Sequence, residues 1–323
     1  MSAVRRASLK LALRWLGALA GLVALLSGWL VVHSWAPDRT VAELSARWAP
    51  PPSQFIALQG MQVHLRDEGR RDDPQPIVLI HGTSASLHTW EGWSAGLNRT
   101  RRVISMDLPA FGLTGPAPDG DYSIERYSGF VLALLDHLAL RQVVLGGNSL
   151  GGEIAWHVAL AAPQRVSRLI LVDAAGFPLR PQSVPLGFRL ARMPLINRAM
   201  ANLLPRALIE SSVRNVFGEP DRVSAGLVDR YYELTLRQGN RAALPLRFAQ
   251  LRSDDPRERL RKLAQPTLIL WGGRDRLIPP SDGAAFAAAI AGSRLLVFDD
   301  LGHVPQEEDA PRTVAAVRRF IEP

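Results

Sequence analysis

The sequence predicts an α/β fold: a mostly parallel central sheet flanked by helices, broken by a helical insertion and preceded by a membrane-crossing helix. Three observations carry this prediction. Strands that are apolar throughout alternate with helical patterns, and a strand without a polar side belongs to a sheet covered on both faces. The alternation breaks between Phe177 and about Leu263, a stretch rich in Pro and Arg and too long for a structureless loop. Trp15 to Val32 reads WLGALAGLVALLSGWLVV and carries no charge.

Composition bounds the function classes. The chain has 323 residues, 47% hydrophobic and 21% charged, enough for a core that needs no covalent staples. With no cysteine, disulfides, thiolate nucleophiles and Cys-ligated zinc are excluded. The net charge is +8, and Arg5, Arg6, Lys10 and Arg14 precede any acidic residue, so 8 − 4 leaves +4 for the rest. Lysine occurs only at Lys10 and Lys262. The arginines are scattered, without a basic stripe interleaved with aromatics, and no nucleic-acid partner is expected.

The N-terminus divides into a basic segment (1–14), an apolar helix (15–32) and a linker (33–53). Eighteen residues at about 1.5 Å each give about 27 Å, close to the thickness of bilayer hydrocarbon. Trp15, Trp29 and Trp35 lie near the ends, where indoles favour the interface. Basic residues before the span place the N-terminus in the cytoplasm and the bulk of the chain on the outer, periplasmic or extracellular side. A cleaved secretory signal is the alternative. Against it, the apolar run exceeds a usual signal core and no small-x-small site follows Val32. The linker ends in Pro50-Pro51-Pro52, which cannot continue a helix.

Then a rhythm sets in. Phe55 to Leu58 and Met61 to Arg66 read as a hairpin around Gln59-Gly60. Strands follow at Ile77 to Ile80, Arg102 to Met106, Val143 to Leu145 and Leu169 to Val172. Helices read at Ser123 to Leu140 and Gly151 to Ala162. After the insertion come a strand (Thr267 to Leu270), a helix (Pro280 to Ala291), a strand (Leu295 to Phe298) and a closing helix (Ala310 to Ile321). The sheet domain is thus expected over 54–176 and 264–323, with 177–263 as a helical lid after the sixth strand. Leu186, Phe188, Leu190 and Leu195 in that lid either line a substrate site or pack its own small core.

In such a sheet, ligands bind beyond the carboxyl ends of the strands. The polar residues there are His81, Thr83, Ser84, Asp107, Ser149, Asp173, Asp275, Asp299, Asp300 and His303. Ser149 stands out. Gly147-Asn148-Ser149-Leu150-Gly151 is G-x-S-x-G between an apolar strand and a helix. A serine on such a turn has a strained backbone, so its neighbours two residues away must lack bulk. The same turn puts the Leu150 amide at a helix N-terminus, where an oxyanion would form. A hydroxyl needs a base, and His303 follows a late strand through a glycine. His33, His64, His81, His88, His137 and His157 fit worse. The base needs a carboxylate, and Asp275 follows a strand through Gly272-Gly273, with Asp173 in reserve and Asp299 as a loop buttress.

These stretches together resemble the α/β-hydrolase superfamily, in its lid-bearing, esterase- and lipase-like branch, from about Gln54 to Glu322. The matching stretches are His81-Gly82, DLPAFG (107–112), GNSLGG (147–152), WGGRDRLIP (271–279) and LGHVPQEED (301–309). The resemblance implies an oxyanion hole from the Thr83 and Leu150 amides, supported by His81, Gly82, Gly147, Asn148 and Gly151. It implies Asp275 as the acid, a substrate-covering lid, and structural roles for Asp107 and Pro109.

Serine at the nucleophile position argues against dehalogenase and epoxide-hydrolase chemistry. Val304 stands where relatives that cleave carbon–carbon bonds of ring-fission products often have Trp, although GNSLGG also resembles those enzymes. The expectation is a membrane-anchored serine hydrolase of a lipophilic ester or related acyl compound, with no cofactor and no metal. The alternatives are a carbon–carbon hydrolase, a cofactor-free haloperoxidase and a tethered binding protein on a hydrolase scaffold.

Overall fold

The computed structural model describes residues 3–193, 202–251 and 254–322. Helix α1 (Ala3–Ser34) begins well before the apolar run, since Arg, Lys and Ala in the basic segment are good helix formers. Its Leu13–Ser34 part is long and apolar enough to cross a membrane, and its core window has no buried residue. Its end is stitched to the chain far ahead: the Leu204 amide donates to Ser34 at 2.8 Å and the Ala36 amide to Asn202 at 2.9 Å.

The expected linker is half helix. Helix α2 (Val41–Trp48) starts at a capping box, in which the Glu43 amide donates to Thr40 Oγ1 and the Thr40 amide to Glu43 Oε2. Trp48 Nε1 then donates to Glu233 at 2.7 Å. The T-x-x-E signature of that box stands in the sequence at Thr40 and Glu43, ahead of the prolines.

The sheet has eight strands in the order β1-β2-β4-β3-β5-β6-β7-β8. They are β1 (Ser53–Leu58), β2 (Met61–Gly69), β3 (Ile77–Ile80), β4 (Arg102–Met106), β5 (Val143–Asn148), β6 (Val166–Val172), β7 (Thr267–Gly272) and β8 (Arg294–Phe298). β2 pairs antiparallel with β1 and β4, and the remaining pairs are parallel. Positive φ at Gln59 and Gly60 closes the β1–β2 hairpin with the backbone twist such turns need. β5 runs on to Asn148, because glycines at 146 and 147 still pair with β6 and β3. This is three residues beyond the expected end at Leu145, because glycine normally weakens a strand and so hides its continuation in the sequence.

Side chains of one strand serve two layers. Ile77 and Leu79 pack with Trp90, Trp93 and Val317 on one face, while Val78 and Ile80 pack with Phe130, Leu134 and Trp156 on the other. The first layer rests under α3 (Glu91–Leu97), a short helix not read from the sequence, and the closing helix Ala310–Ile321. There Trp93 Nε1 donates to Thr313 at 2.9 Å. The second rests under α4 (Ile124–His137) and α5 (Leu150–Ala161).

Between β6 and β7 the described residues form helices Leu186–Ala191, Arg206–Val216, Ala225–Thr235, Asn240–Ala249 and Arg257–Leu260. Residues of the first four line a cavity together with Gly82, Asn148 and Ser149, which lie at or just beyond the carboxyl ends of β3 and β5. Of the four apolar residues singled out, Phe188 lines the cavity, Leu190 packs with Leu204 and Leu208 inside the insertion, and Leu186 is exposed. Leu195 lies outside the described residues.

Candidate active site

Ser149 sits between β5 and α5 with φ 55° and ψ −118°, in the left-handed half of backbone space. Main-chain bonds hold it there: its amide donates to Val172 at 3.0 Å, and its carbonyl accepts from Glu153 at 3.1 Å and Ala175 at 3.0 Å. The surrounding glycines have measurable reasons. A Cβ on Gly147 would come within 2.1 Å of Gly151 O, one on Gly151 within 2.1 Å of Ile80 O, and one on Gly152 within 2.5 Å of the Ala174 Cβ. Helix, strand and elbow touch backbone to backbone.

His303 Nδ1 is 2.6 Å from Asp275 Oδ2. Asp275 Oδ1 accepts from the amides of Leu277 and Ile278 at 2.8 and 3.0 Å. Both side chains are nearly inaccessible to water. Ser149, His303, Leu150 and Thr83 all line the one cavity, of about 340 Å³, under the insertion. Leu150 is the first residue of α5, so its amide has no partner within the helix and points out of its N-terminus. Thr83 lies between Gly82 and Ser84, the latter at φ 59°.

His81 braces that loop. One ring nitrogen lies 2.7 Å from Gly82 O, and the other accepts from the Leu108 amide at 2.9 Å. Full burial lowers its pKa and keeps the imidazole neutral. A Cβ on Gly82 would meet Asn148 Oδ1 at 3.0 Å and the Ser149 Cβ at 3.1 Å. The Asn148 amide nitrogen donates to Val172 O at 3.1 Å and to His303 O at 2.9 Å. It therefore ties the serine turn to the histidine loop.

The reserve acid is part of the same cluster. Ligand atoms of Asp173, Asp275 and His303 lie within 4.8 Å of one another. Asp173 Oδ1 accepts from the Gly272 amide at 2.9 Å, while Oδ2 has no partner among the described residues. Burial first, and the neighbouring Asp275 charge second, push its pKa well above the usual carboxylate range. Asp173 therefore lies beside the His303–Asp275 pair, in an environment that favours its protonated form. A cation at this cluster would have to displace the 2.6 Å His303–Asp275 bond.

Other expected residues fall elsewhere. Asp300 is paired with Arg312 on the closing helix at 2.8 Å, and Asp299 packs its backbone against Gly273. Asp107 is buried away from the cavity. It bonds to His64 at 2.7 Å and accepts the amides of Leu87 and Leu113 at 2.7 Å each. Tyr127 reaches the Pro109 carbonyl at 3.0 Å.

Glu308 was missed. It is buried, and its two oxygens accept the amides of Gly302 and Gly218 at 2.8 Å each. With the His303 amide donating to Val216 at 2.8 Å, it locks the histidine loop to the insertion. Its signal was the acidic run after His303 in LGHVPQEED, which sequence alone cannot direct toward the Gly218 amide, 90 residues away.

Fold and site together define a class: a parallel-sheet protein with a serine on a strained strand-to-helix turn and a buried His–Asp pair beside it. A family model described as the alpha/beta hydrolase fold matches residues 75–310, and the chain belongs to that family. It is 32% identical over 289 residues to an uncharacterised protein of Mycobacterium tuberculosis, covering 85% of this chain and 82% of that one. It is 29% identical over 287 residues to a 2-hydroxymuconate semialdehyde hydrolase of Pseudomonas sp. strain CF600, covering 84% of this chain and 95% of that one. Among solved structures, it resembles a membrane phospholipase A described as a bacterial virulence factor. That match has a TM-score of 0.71 and 23% identity, covering 96% of this chain and 98% of the other.

Proposed function

We propose that the chain is a membrane-anchored serine hydrolase that cleaves a carboxylic ester of a lipophilic acyl compound through an acyl-enzyme. The observation that carries this reading is the strained Ser149 in the wall of an apolar cavity that also holds His303, itself bonded to buried Asp275. Ser149 attacks the acyl carbonyl, and His303 takes its proton and passes it to the leaving alcohol. Asp275 steadies the imidazolium. The Thr83 and Leu150 amides hold the developing oxyanion. Water, activated by the same imidazole, then releases the acid. The insertion acts as the lid, and its bonds to the histidine loop couple lid and base. The outward-facing apolar α1 and its stitching to Asn202 and Leu204 support a span that places the lid next to a bilayer.

A second reading is carbon–carbon bond hydrolysis, favoured by the likeness to the semialdehyde hydrolase. One experiment separates the two. Detergent-solubilised full chain is given 4-nitrophenyl esters of increasing chain length and, in parallel, a 2-hydroxy-6-oxodienoate. Serine-dependent release of nitrophenol with no loss of the dienoate chromophore supports the ester reading. The reverse pattern overturns it.

A further inference from the structure

The cavity contains a charge that the chemistry at Ser149 does not use. Arg247, in helix Asn240–Ala249, is 2% exposed and lines the cavity together with Ser149. Its Nε and Nη1 have no hydrogen-bond partner among the described residues. The remaining nitrogen, Nη2, stands 3.9 Å from Glu153 Oε2, too far for a hydrogen bond. A guanidinium buried among apolar groups with donors unmet is costly, and such groups normally have a partner.

The other cavity arginines differ. Arg230 is bonded to Glu307 and lies 3.8 Å from Glu91. Arg241 is paired with Asp38. Arg192 lies over the Phe248 ring at 4.7 Å.

We infer that Arg247 is an anion subsite of this cavity, taking a carboxylate or phosphate that the substrate carries away from the cleaved bond. The inference rests on the serine-hydrolase reading. Its position suits a substrate of modest length. Glu153 lies one turn of α5 beyond Ser149, about 5 Å along the helix, and Arg247 stands opposite Glu153. The guanidinium carbon also lies over the Tyr127 ring, 5.9 Å from its centre. Glu153 is a weak competitor for the cation, since burial pushes its pKa up to about 7. The ligand class is therefore an amphiphile: an apolar chain with an ester at one end and one anionic group at the other.

The test uses 4-nitrophenyl esters of four to eight carbons that end in methyl, carboxylate or phosphate, hydrolysed by the detergent-solubilised full chain. The reading is the ratio of kcat/KM for the acid-terminated ester to that for the methyl-terminated one. The wild type is expected to favour an acidic terminus at least tenfold at one chain length, and the better of the two acids identifies the group. Arg247→Met is expected to reduce that ratio at least tenfold, through KM, with Arg247→Lys retaining part. Glu153→Gln, which removes the competitor, is expected to raise it. Equal ratios in wild type and Arg247→Met overturn the inference. Should Arg247→Met fail to melt cooperatively, unchanged ratios in both Arg247→Lys and Glu153→Gln overturn it instead. The parent reading is tested separately by Ser149→Ala with the methyl-terminated ester: turnover that survives there refutes the serine mechanism whatever the ratios are.

Discussion

Two Ser–His–Asp sets lie among the described residues. One is Ser149, His303 and Asp275. The other is Ser53, His64 and Asp107, with Ser53 Oγ 2.9 Å from His64 Nε2 and His64 Nδ1 2.7 Å from Asp107. By hydrogen bonds alone the second set looks complete. Everything around it differs. Ser53 is the first residue of an edge strand, and its oxygen already accepts from Arg66 Nε at 3.1 Å. His64 is sealed in the core against the Phe55 ring. Asp107 is occupied by two backbone amides. Ser53 is not among the residues that line the cavity under the insertion. The difference teaches that a bonded trio is only a part of a nucleophilic site. A strained turn, oxyanion donors and room for a substrate distinguish the proposed site from a structural latch.

The contrast can be broken in order of expected effect. Ser149→Ala or His303→Ala should lower kcat/KM for a 4-nitrophenyl ester by roughly 10⁴-fold or more, whereas Ser53→Ala should change it less than about threefold. Steady-state assays on protein that passes a thermal scan decide this. Asp275→Asn should cost about 10²- to 10⁴-fold, and Asp173→Asn less than about tenfold, because His303 Nδ1 is bonded to Asp275 and Asp173 bonds the Gly272 amide instead.

The latch should instead show in stability. Asp107→Asn is expected to destabilise by about 3 kcal/mol in urea unfolding, since it leaves buried amides and His64 poorly matched. Burial alone would raise the Asp107 pKa, but His64 and its bond hold it below the usual range. A depressed carboxylate stabilises above its unfolded pKa, and that stability is lost as pH falls through the folded value. Wild type should therefore lose more stability than Asp107→Asn below about pH 4.

Glu153 has the opposite sign. Burial raises its pKa to about 7, so the favourable protonated form is present below the ordinary glutamate range and is lost as pH rises through about 7. Glu153→Gln should melt a few degrees above wild type at pH 8 and match it near pH 4.5.

The smallest expected effect concerns the region before β1. A chain starting at His33 keeps α2 and its Trp48–Glu233 bond, so it should melt above one starting at Gln54.

Much of the proposed site was legible because its signals are local. GNSLGG, WGGRD and LGH place small residues where backbone approaches backbone: a Cβ on Gly272 would lie 1.8 Å from Gly302 O. The sheet was legible from apolar strands, apart from the last residues of β5, where glycine conceals a strand that must turn sharply. What escaped depends on distant partners. Glu308 meets Gly218 across 90 residues, His64 meets Asp107 across 43, and the cavity face of Arg247 depends on how the insertion folds over the sheet. None of these leaves a period or a spacing in the sequence.

The most direct test of the account is labelling with a fluorophosphonate probe, with the modified residue located by peptide mass spectrometry. The account predicts one adduct, on Ser149, retained in Ser53→Ala and lost in Ser149→Ala and His303→Ala. A folded wild-type chain that takes no label, or whose label survives Ser149→Ala, would contradict it.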